Sequence, residues 1–257
     1  MQIAGREVRG FLIDLDGVLH VGRAAIAGAI EKVNELERRQ IPHCFVTNTT
    51  TRSRTALTVE LNQLGFAVKP DSLVTAPAAA VAYLERRGRP RCKLLLAPDV
   101  AEEFSHLPRS ESEAEVVVVG DIGPTWSYPV LNQVFQLLVG GAELVALHKN
   151  RFWQTDEGLQ LDIGAFVVAL EYASGKVARL IGKPNEDFFA AALERLGVQA
   201  EAVAMIGDDI DSDVGGAQRQ GMLGIQVKTG KYRDEYAARS EVRPDLVLPS
   251  IAALELE

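Results

Sequence analysis

The stretch GFLIDLDGVLH, residues 10–20, places two aspartates, Asp14 and Asp16, directly behind an apolar run. An apolar run of this kind normally enters a protein core, where an unpaired carboxylate is costly. A separation of two residues would put both carboxylates on one face of a regular strand, and Gly17 would let the backbone turn close to a ligand. The stretch therefore predicts either a strand that carries two acids to a site or an ordinary Asp-Gly turn.

Short apolar runs alternate with amphipathic segments toward both ends of the chain. The apolar runs predict strands over residues 8–13, 41–46, 202–206, 224–227 and 245–248. The amphipathic spacing predicts helices over residues 24–39, 53–64, 185–196 and 214–220. Strands that alternate with helices indicate an α/β fold in which a parallel sheet is covered on both faces.

The middle of the chain has α/β content of its own. Strand-like runs cover residues 93–97, 114–119 and 144–147, and helix-like patterns cover residues 128–139 and 162–173. A block of about 100 residues is long enough for a separate domain. We therefore expect an inserted domain over residues 78–177, and a discontinuous core formed by residues 1–77 and 178–257.

The composition excludes several classes of protein. The formal net charge is −8, so binding to nucleic acid or to an anionic membrane is not expected. The N-terminal residues lack the apolar segment of a signal peptide, and no apolar run reaches the length of a membrane helix. Cys44 and Cys92 have no metal-binding spacing and are expected to be reduced thiols. We expect a soluble cytoplasmic protein.

Polar side chains follow four apolar strands, each at the end of its strand. The carboxyl ends of parallel strands line a common crevice, which is the usual binding position in such sheets. Acids, a lysine and a hydroxyl around one point indicate a divalent cation together with a phosphate. The candidate residues are Asp14, Asp16, Thr47, Asn48, Lys183, Asp208, Asp209 and Asp213.

The chemistry of these residue types suits phosphoryl transfer. Mg²⁺ is usually held by one or two carboxylates, which Asp14 and Asp208 could supply, with a backbone carbonyl near Asp16 as a further ligand. One carboxylate could attack phosphorus while a second transfers the proton. Lys183 and Thr47 would hold the phosphoryl oxygens, because this reaction depends mainly on positioning and charge stabilisation.

Four motifs in order, DLDGV, TN, GKP and GDDIDSD, resemble those of the haloacid dehalogenase (HAD) superfamily of phosphatases. The resemblance covers the whole chain and implies a Rossmann-like core, Mg²⁺ as cofactor and a covalent aspartyl-phosphate. It implies that Asp14 is the nucleophile and Asp16 the general acid/base. The remaining implied roles are phosphate binding for Thr47, Asn48 and Lys183, metal binding for Asp14, Asp16 and Asp208, and support for Asp209 and Asp213.

The spacing of the motifs indicates where the inserted domain belongs. Only 30 residues lie between Asp16 and Thr47, whereas 134 lie between Asn48 and Lys183. The insert therefore resembles a C2-type cap, and DLDGVLHVG with VTN resembles the NagD and p-nitrophenylphosphatase branch, subclass IIA. The resemblance implies that the cap selects the substrate and that a homodimer can form through it.

Residues 148–153, HKNRFW, mix cationic and aromatic side chains within the predicted cap. Such a segment suits an anionic or planar leaving group, and it is equally compatible with a surface loop. Asp211 is compatible with a solvated side chain or with a helix N-terminus. Lys183 taken alone would be read as a solvated loop residue.

The sequence as a whole favours a Mg²⁺-dependent phosphatase that acts on a small phosphorylated molecule. Pyrophosphate and phosphoramidate bonds remain open as further substrates. A phosphotransferase of the same fold is one alternative, disfavoured because nothing before Thr47 offers the cap usual in mutases. A non-catalytic binding module is another, disfavoured because Asp14, Asp16, Lys183 and Asp208 are all present.

Overall fold

The computed structural model describes residues 1–155 and 158–256. The strands are β1 (Gln2–Ile3), β2 (Arg6–Glu7), β3 (Gly10–Asp14), β4 (His20–Val21), β5 (Ala24–Ala25), β6 (His43–Thr47), β7 (Leu73–Thr75), β8 (Cys92–Leu95), β9 (Val116–Val119), β10 (Glu143–Ala146), β11 (Phe152–Thr155), β12 (Gly158–Leu161), β13 (Arg179–Leu180), β14 (Val203–Gly207), β15 (Leu223–Val227) and β16 (Leu246–Leu248). The α-helices are α1 (Ala29–Arg38), α2 (Arg54–Gln63), α3 (Ala76–Arg86), α4 (Pro98–Ala101), α5 (Tyr128–Val139), α6 (Gly164–Ser174), α7 (Glu186–Leu196), α8 (Gly216–Arg219) and α9 (Asp234–Arg239).

Within the described residues, six strands form a parallel sheet in the order β16-β15-β14-β3-β6-β7. Strand β3 lies in the middle and is buried on both faces. Phe11 and Ile13 join one apolar cluster, whereas Leu12 joins another that contains Phe188 and Phe189 of α7. Burial on both faces explains why this strand is continuously apolar rather than alternating.

A second sheet, in the order β13-β10-β9-β8, is also parallel. Its strands are apolar, and Val116–Val119 is buried along its whole length. Helices α5 and α6 pack together, and the cluster on this face of the sheet takes residues from both. This sheet belongs to the inserted segment, and the predicted α/β fold with a Rossmann-like core and an α/β cap is confirmed.

The exact division at residues 77 and 178 stays a proposal. Two observations bear on it: α3 (Ala76–Arg86) runs across the first boundary, and β13 (Arg179–Leu180) pairs with β10 of the inserted sheet. Because a paired strand cannot be separated from its sheet, the second boundary is better drawn after Leu180.

Three local predictions were wrong in their bounds. The helix predicted from residue 24 begins at Ala29, because Ala24–Ala25 pairs with His20–Val21 and Gly28 then turns with a φ of 77°. The helix predicted over residues 214–220 is preceded by a π-helical turn, Ile210–Gly215. The regular strand ends at Asp14, so Asp16 does not share a strand face with it.

Both cysteines lie in apolar surroundings. Cys44 and Cys92 are buried free thiols, and burial raises the pKa of each to about 11. In the described parts of the chain, no helix has the length and apolar character needed to cross a bilayer.

Candidate active site

The predicted residues converge at the carboxyl edge of the core sheet. Because β14, β3 and β6 are neighbours, the residues at and just after their ends face one cleft, whose empty volume, open mouth included, is about 790 Å³. The predicted site residues that line this cleft are Asp14, Asp16, Thr47, Asn48, Lys183, Asp208 and Asp213. Asp209 lines an adjoining cavity instead.

Lys183 lies buried between two carboxylates. Its Nζ donates to Asp14 Oδ1 at 2.6 Å and lies 2.7 Å from Asp213 Oδ1. Burial alone would lower the pKa of Lys183, but the two carboxylates outweigh burial and raise it. Burial raises the pKa of Asp14 to about 7, against the opposing effect of Lys183. Lys183 is therefore a fixed cation. Further positive charge near Asp14 would stabilise its ionised form.

Asp208 completes a cluster of three buried acids. One carboxylate oxygen each from Asp14, Asp208 and Asp213 can be chosen so that all lie within 4.8 Å of one another. Asp208 Oδ2 accepts the N–H of Lys231 at 2.8 Å, whereas Oδ1 is buried and has no partner among the residues that the structure describes. Burial and the nearby acids raise the pKa of Asp208 although Lys231 opposes them. An orphaned carboxylate oxygen among hard oxygen donors fits Mg²⁺.

Asp16 stands apart from this cluster. Its side chain is 58% exposed, and its Oδ2 accepts a hydrogen bond from Thr49 Oγ1 at 2.5 Å. Thr49 also connects it to Thr47, whose Oγ1 donates to Thr49 Oγ1 at 2.8 Å and accepts the N–H of Thr49 at 3.0 Å. The two aspartates therefore occupy different environments, one buried beside Lys183 and one reaching solvent, as two different chemical roles require.

Asn48 is engaged with the backbone of Lys183. Its Nδ2 donates to the Lys183 carbonyl at 2.9 Å, and its Oδ1 accepts the Lys183 N–H at 2.8 Å. Gly182 allows this approach, since a Cβ there would lie 2.4 Å from Asn48 Oδ1. These contacts give Asn48 the position of a residue that holds the lysine loop in place.

Asp209 organises the loop beneath the cleft. Its Oδ1 accepts the N–H groups of Asp211 and Ser212, each at 3.0 Å, and its Oδ2 pairs with Lys231 Nζ at 3.0 Å. Burial opposes ionisation, but Lys231 and the Ser212 N–H outweigh it and lower the pKa of Asp209 to about 2. Sequence reasoning missed Lys231. Its signal was a lysine shortly after β15, at the same edge of the sheet.

Comparison with known proteins identifies the family. A haloacid dehalogenase-like hydrolase model matches residues 11–107, and a HAD-hydrolase-like model matches residues 180–254. The chain is 40% identical over 251 residues to human phospholysine phosphohistidine inorganic pyrophosphate phosphatase, covering 95% of this chain and 92% of that protein. The chain belongs to the haloacid dehalogenase-like hydrolases. Human haloacid dehalogenase-like hydrolase domain-containing protein 2 is 43% identical over 230 residues, covering 90% of this chain and 88% of that protein.

Solved structures of 4-nitrophenylphosphatases resemble this HAD-like hydrolase over nearly its whole length. A 4-nitrophenylphosphatase from Thermotoga maritima matches with a TM-score of 0.87 and 28% identity, over 95% of each chain. NagD from Escherichia coli K-12 shares the fold, with a TM-score of 0.85 at 20% identity over 97% of this chain and 99% of that chain. The resemblance inferred from the four motifs is confirmed, and the protein is a HAD-type phosphatase.

The cap segment at residues 148–153 divides its side chains between two cavities. His148, Asn150 and Trp153 line the cleft of this HAD-like hydrolase, whereas Lys149 and Arg151 line the adjoining cavity. Lys149 Nζ pairs with Glu171 Oε2 at 2.6 Å, and Arg151 Nη1 donates to Tyr236 Oη at 3.3 Å. Contact of this segment with an anionic or planar leaving group stays a prediction; the aromatic Trp153 lines the cleft, whereas the cationic Lys149 and Arg151 do not.

Gly17 allows the backbone to pass close to Asp208. It has a φ of +84°, and a Cβ there would lie 2.1 Å from Asp208 Oδ2. We expect Gly17→Ala to displace Asp208 and lower kcat/KM at subsaturating Mg²⁺ by about 100-fold, since misplacing a reacting group by about 1 Å can cost that much. Steady-state kinetics over a Mg²⁺ titration would measure the loss.

Gly88→Ala is the matched control for that substitution. Gly88 has a similar φ of +89°, but its Cβ would meet nothing within 4 Å. Both variants carry the strain of a left-handed alanine, about 1 kcal/mol, so equal kinetics in the two would show that the contact with Asp208 is unimportant.

Proposed function

We propose that this phosphatase hydrolyses a small phosphomonoester in a Mg²⁺-dependent reaction, with an aspartyl-phosphate on Asp14 and with Asp16 as general acid/base. The observation that carries the proposal is the contrast between the two aspartates. Asp14 is buried against Lys183, whereas Asp16 reaches solvent within the same cleft. Such a pair suits a fixed nucleophile and a group that exchanges protons with water.

The metal would be held by the carboxylates of Asp14 and Asp208, together with the backbone carbonyl of Asp16. The unpartnered Oδ1 of Asp208 and the raised pKa values of Asp14 and Asp208 support this assignment. When bound, Mg²⁺ supplies positive charge that keeps Asp14 ionised and neutralises the phosphoryl group. Asp213 supports the site by fixing Lys183, and Asp209 does so by fixing Lys231 and the loop at residues 210–212.

The chain's own residues account for the proton and bond changes. The Asp14 oxygen that is not bound to Lys183 attacks phosphorus, the bond to the leaving oxygen breaks, and Asp16 donates a proton to that oxygen. Lys183 and Thr47 stabilise the charge on the phosphoryl oxygens, and Asn48 holds Lys183 in place. Asp16 then takes a proton from water, which attacks phosphorus and releases phosphate from Asp14.

The direct test is hydrolysis of 4-nitrophenyl phosphate with Mg²⁺, with EDTA, and with Mg²⁺ restored. We expect activity that EDTA abolishes and Mg²⁺ recovers. Pyrophosphate and N-phospholysine belong in the same panel, because a relative is named for these bonds. Release of phosphate to water in every active case separates hydrolysis from transfer. Activity that is indifferent to EDTA would contradict the metal dependence.

Asp16→Ala is expected to lower kcat by about 10²–10⁴-fold, the usual contribution of general acid–base catalysis. The loss should be largest for alkyl phosphates, because a poor leaving oxygen depends on a donated proton. The loss should be smaller in the rate at which 4-nitrophenyl phosphate phosphorylates the enzyme, measured as the rate of the pre-steady-state burst. An equal loss for both leaving groups would contradict the proton-donor role.

Three further parts of the proposal have indirect support. The cap over residues 78–177, with its end extended past Leu180, would select the substrate through the residues that it contributes to the cleft. A homodimer through this cap is suggested by the family resemblance, and a cytoplasmic location is supported by the composition. Size-exclusion chromatography with light scattering would test the dimer, and fractionation of cells would test the location.

A further inference from the structure

The cap contributes two acids to the wall of the cleft. Asp121 follows strand β9, and Asp162 precedes helix α6; both line the cleft together with His148 and Trp153. This cap side of the cleft is where the part of the substrate beyond the phosphoryl group must lie, because Asp14, Lys183 and Asp208 occupy the core side. The charge on this side of the cleft therefore affects which leaving groups can bind there.

Both acids keep an oxygen that has no partner in the part of the chain that the structure describes. Asp121 Oδ1 accepts the N–H of Gly123 at 2.7 Å, and Asp162 Oδ1 accepts the N–H of Ile163, also at 2.7 Å. Within the described residues, the second oxygen of each has no hydrogen bond or ion pair. Each carboxylate thus retains capacity to receive a donor from a ligand.

His148 does not neutralise this side of the cleft. Its Nδ1 accepts the N–H of Asn150 at 3.3 Å, and its Nε2 lies 3.7 Å from Asp162 Oδ1. Burial lowers the pKa of His148 against the opposing effect of Asp162. A buried neutral imidazole leaves the negative charge of Asp162 in place.

The lysines that line the cleft are already paired with acidic side chains. Among the described residues of the cleft wall, the lysines and arginines are Lys183 and Lys231, which pair with Asp14, Asp213 and Asp209. Lys149 and Arg151 line the adjoining cavity instead. Trp153, 41% exposed, adds an aromatic surface to the acidic side. Carboxylates beside an aromatic ring, without a free cation, are suited to a positively charged amine.

We propose that the physiological substrate is a phosphomonoester whose leaving group carries an ammonium, that is, the phosphate of an amino alcohol, with Asp121 and Asp162 as the residues that select it. The inference rests on the proposed phosphatase function, since it concerns the other half of the same substrate. An ammonium a few ångströms from a partly exposed carboxylate, with an aromatic contact, should favour the cationic substrate by about tenfold in kcat/KM over a neutral one.

The test compares substrates of matched shape. Phosphocholine is paired with 3,3-dimethylbutyl phosphate, its uncharged carbon analogue, and phosphoethanolamine with propyl phosphate and with the anionic phosphoglycolate. We expect kcat/KM to decrease from cationic to neutral to anionic leaving groups. Equal values across the series, or a preference for phosphoglycolate, would overturn the inference. Turnover of the neutral esters and of 4-nitrophenyl phosphate reports on phosphatase function separately.

Asp121→Asn supplies the residue-level test. We expect the ratio of kcat/KM for phosphocholine to that for 3,3-dimethylbutyl phosphate to fall in this variant, and to come within about twofold of one when Asp162→Asn is added. Glu102→Gln, at an exposed acid of the cap outside the cleft wall, should keep the wild-type ratio. Competitive inhibition of 4-nitrophenyl phosphate hydrolysis by the same two compounds in the wild-type enzyme gives the answer even if the variant does not fold. Inhibition of equal strength by both would overturn the inference.

Discussion

Asp14→Asn is expected to lower kcat by at least about 10³-fold, because the amide cannot act as the nucleophile that forms the aspartyl-phosphate. The variant should remain folded, since the amide oxygen can still accept the hydrogen bond that Lys183 Nζ now gives to Asp14 Oδ1. Burial disfavours the ionised form of Asp14, so the free energy of unfolding in EDTA should equal or exceed that of the wild type. Steady-state kinetics and urea unfolding measure the two quantities.

Asp71→Asn is the matched control for loss of one acid. The Asp71 side chain is 95% exposed and lies outside the cleft wall, so its replacement should change neither kcat nor stability measurably. Asp14→Asn with kcat within about tenfold of the wild type would contradict nucleophilic catalysis by this residue.

Lys183→Met is expected to have the largest effect on stability. The substitution leaves Asp14 and Asp213 buried together without the cation that lies 2.6 and 2.7 Å from them. Removing one partner of a buried ion pair costs about 3–5 kcal/mol. Turnover should also fall by about 10²–10³-fold, since a fixed positive charge beside the phosphoryl group is lost. Urea unfolding in EDTA gives the first number and kinetics with Mg²⁺ the second.

A second substitution separates stability from catalysis. Lys183→Met combined with Asp213→Asn removes one of the two stranded charges, so the double variant should regain a substantial part of the lost stability but not the lost activity. Lys69→Met, at an exposed lysine, controls for the loss of a cation. If the loss of stability in the double variant equals the sum of the losses in Lys183→Met and in Asp213→Asn, direct coupling between Lys183 and Asp213 is contradicted.

Much of the core fold followed from the pattern of short apolar strands. Strand β3 is buried on both faces, so its FLI run was unambiguous. The polar residues after β3, β6 and β14 met in one cleft because these parallel strands end at a common edge, whereas Lys183 follows β13 of the other sheet. The roles that depend on which partner a side chain contacts were harder to predict from the sequence. Phosphate binding by Asn48 stays a prediction, but the contact of its amide with the Lys183 backbone was not predicted. Nothing local in the TN motif encodes a contact with residue 183.

The cap was the part that sequence patterns described least well. The periodicity placed helix α5 at Tyr128–Val139, yet the segment at residues 148–153 has no repeat that reveals which side chains face the cleft. In the structure His148 and Asn150 face it while Lys149 and Arg151 do not. Of the side chains in this segment that line the cleft, one is therefore an aromatic ring, Trp153, and none is a lysine or arginine. Lys231 was overlooked for a similar reason, because its partner Asp209 lies 22 positions earlier in the chain.

The most direct test is to trap the phosphoryl group on the chain. The Asp16→Asn variant should accept phosphate from 4-nitrophenyl phosphate, whose leaving group needs little protonation, and then hydrolyse the intermediate slowly. Borohydride reduction of an acyl phosphate converts aspartate to homoserine, which peptide mass spectrometry locates. We expect homoserine at position 14, in an amount that depends on substrate and Mg²⁺. An unmodified Asp14 in a variant that still releases a burst of 4-nitrophenol, or homoserine at another position, would contradict it.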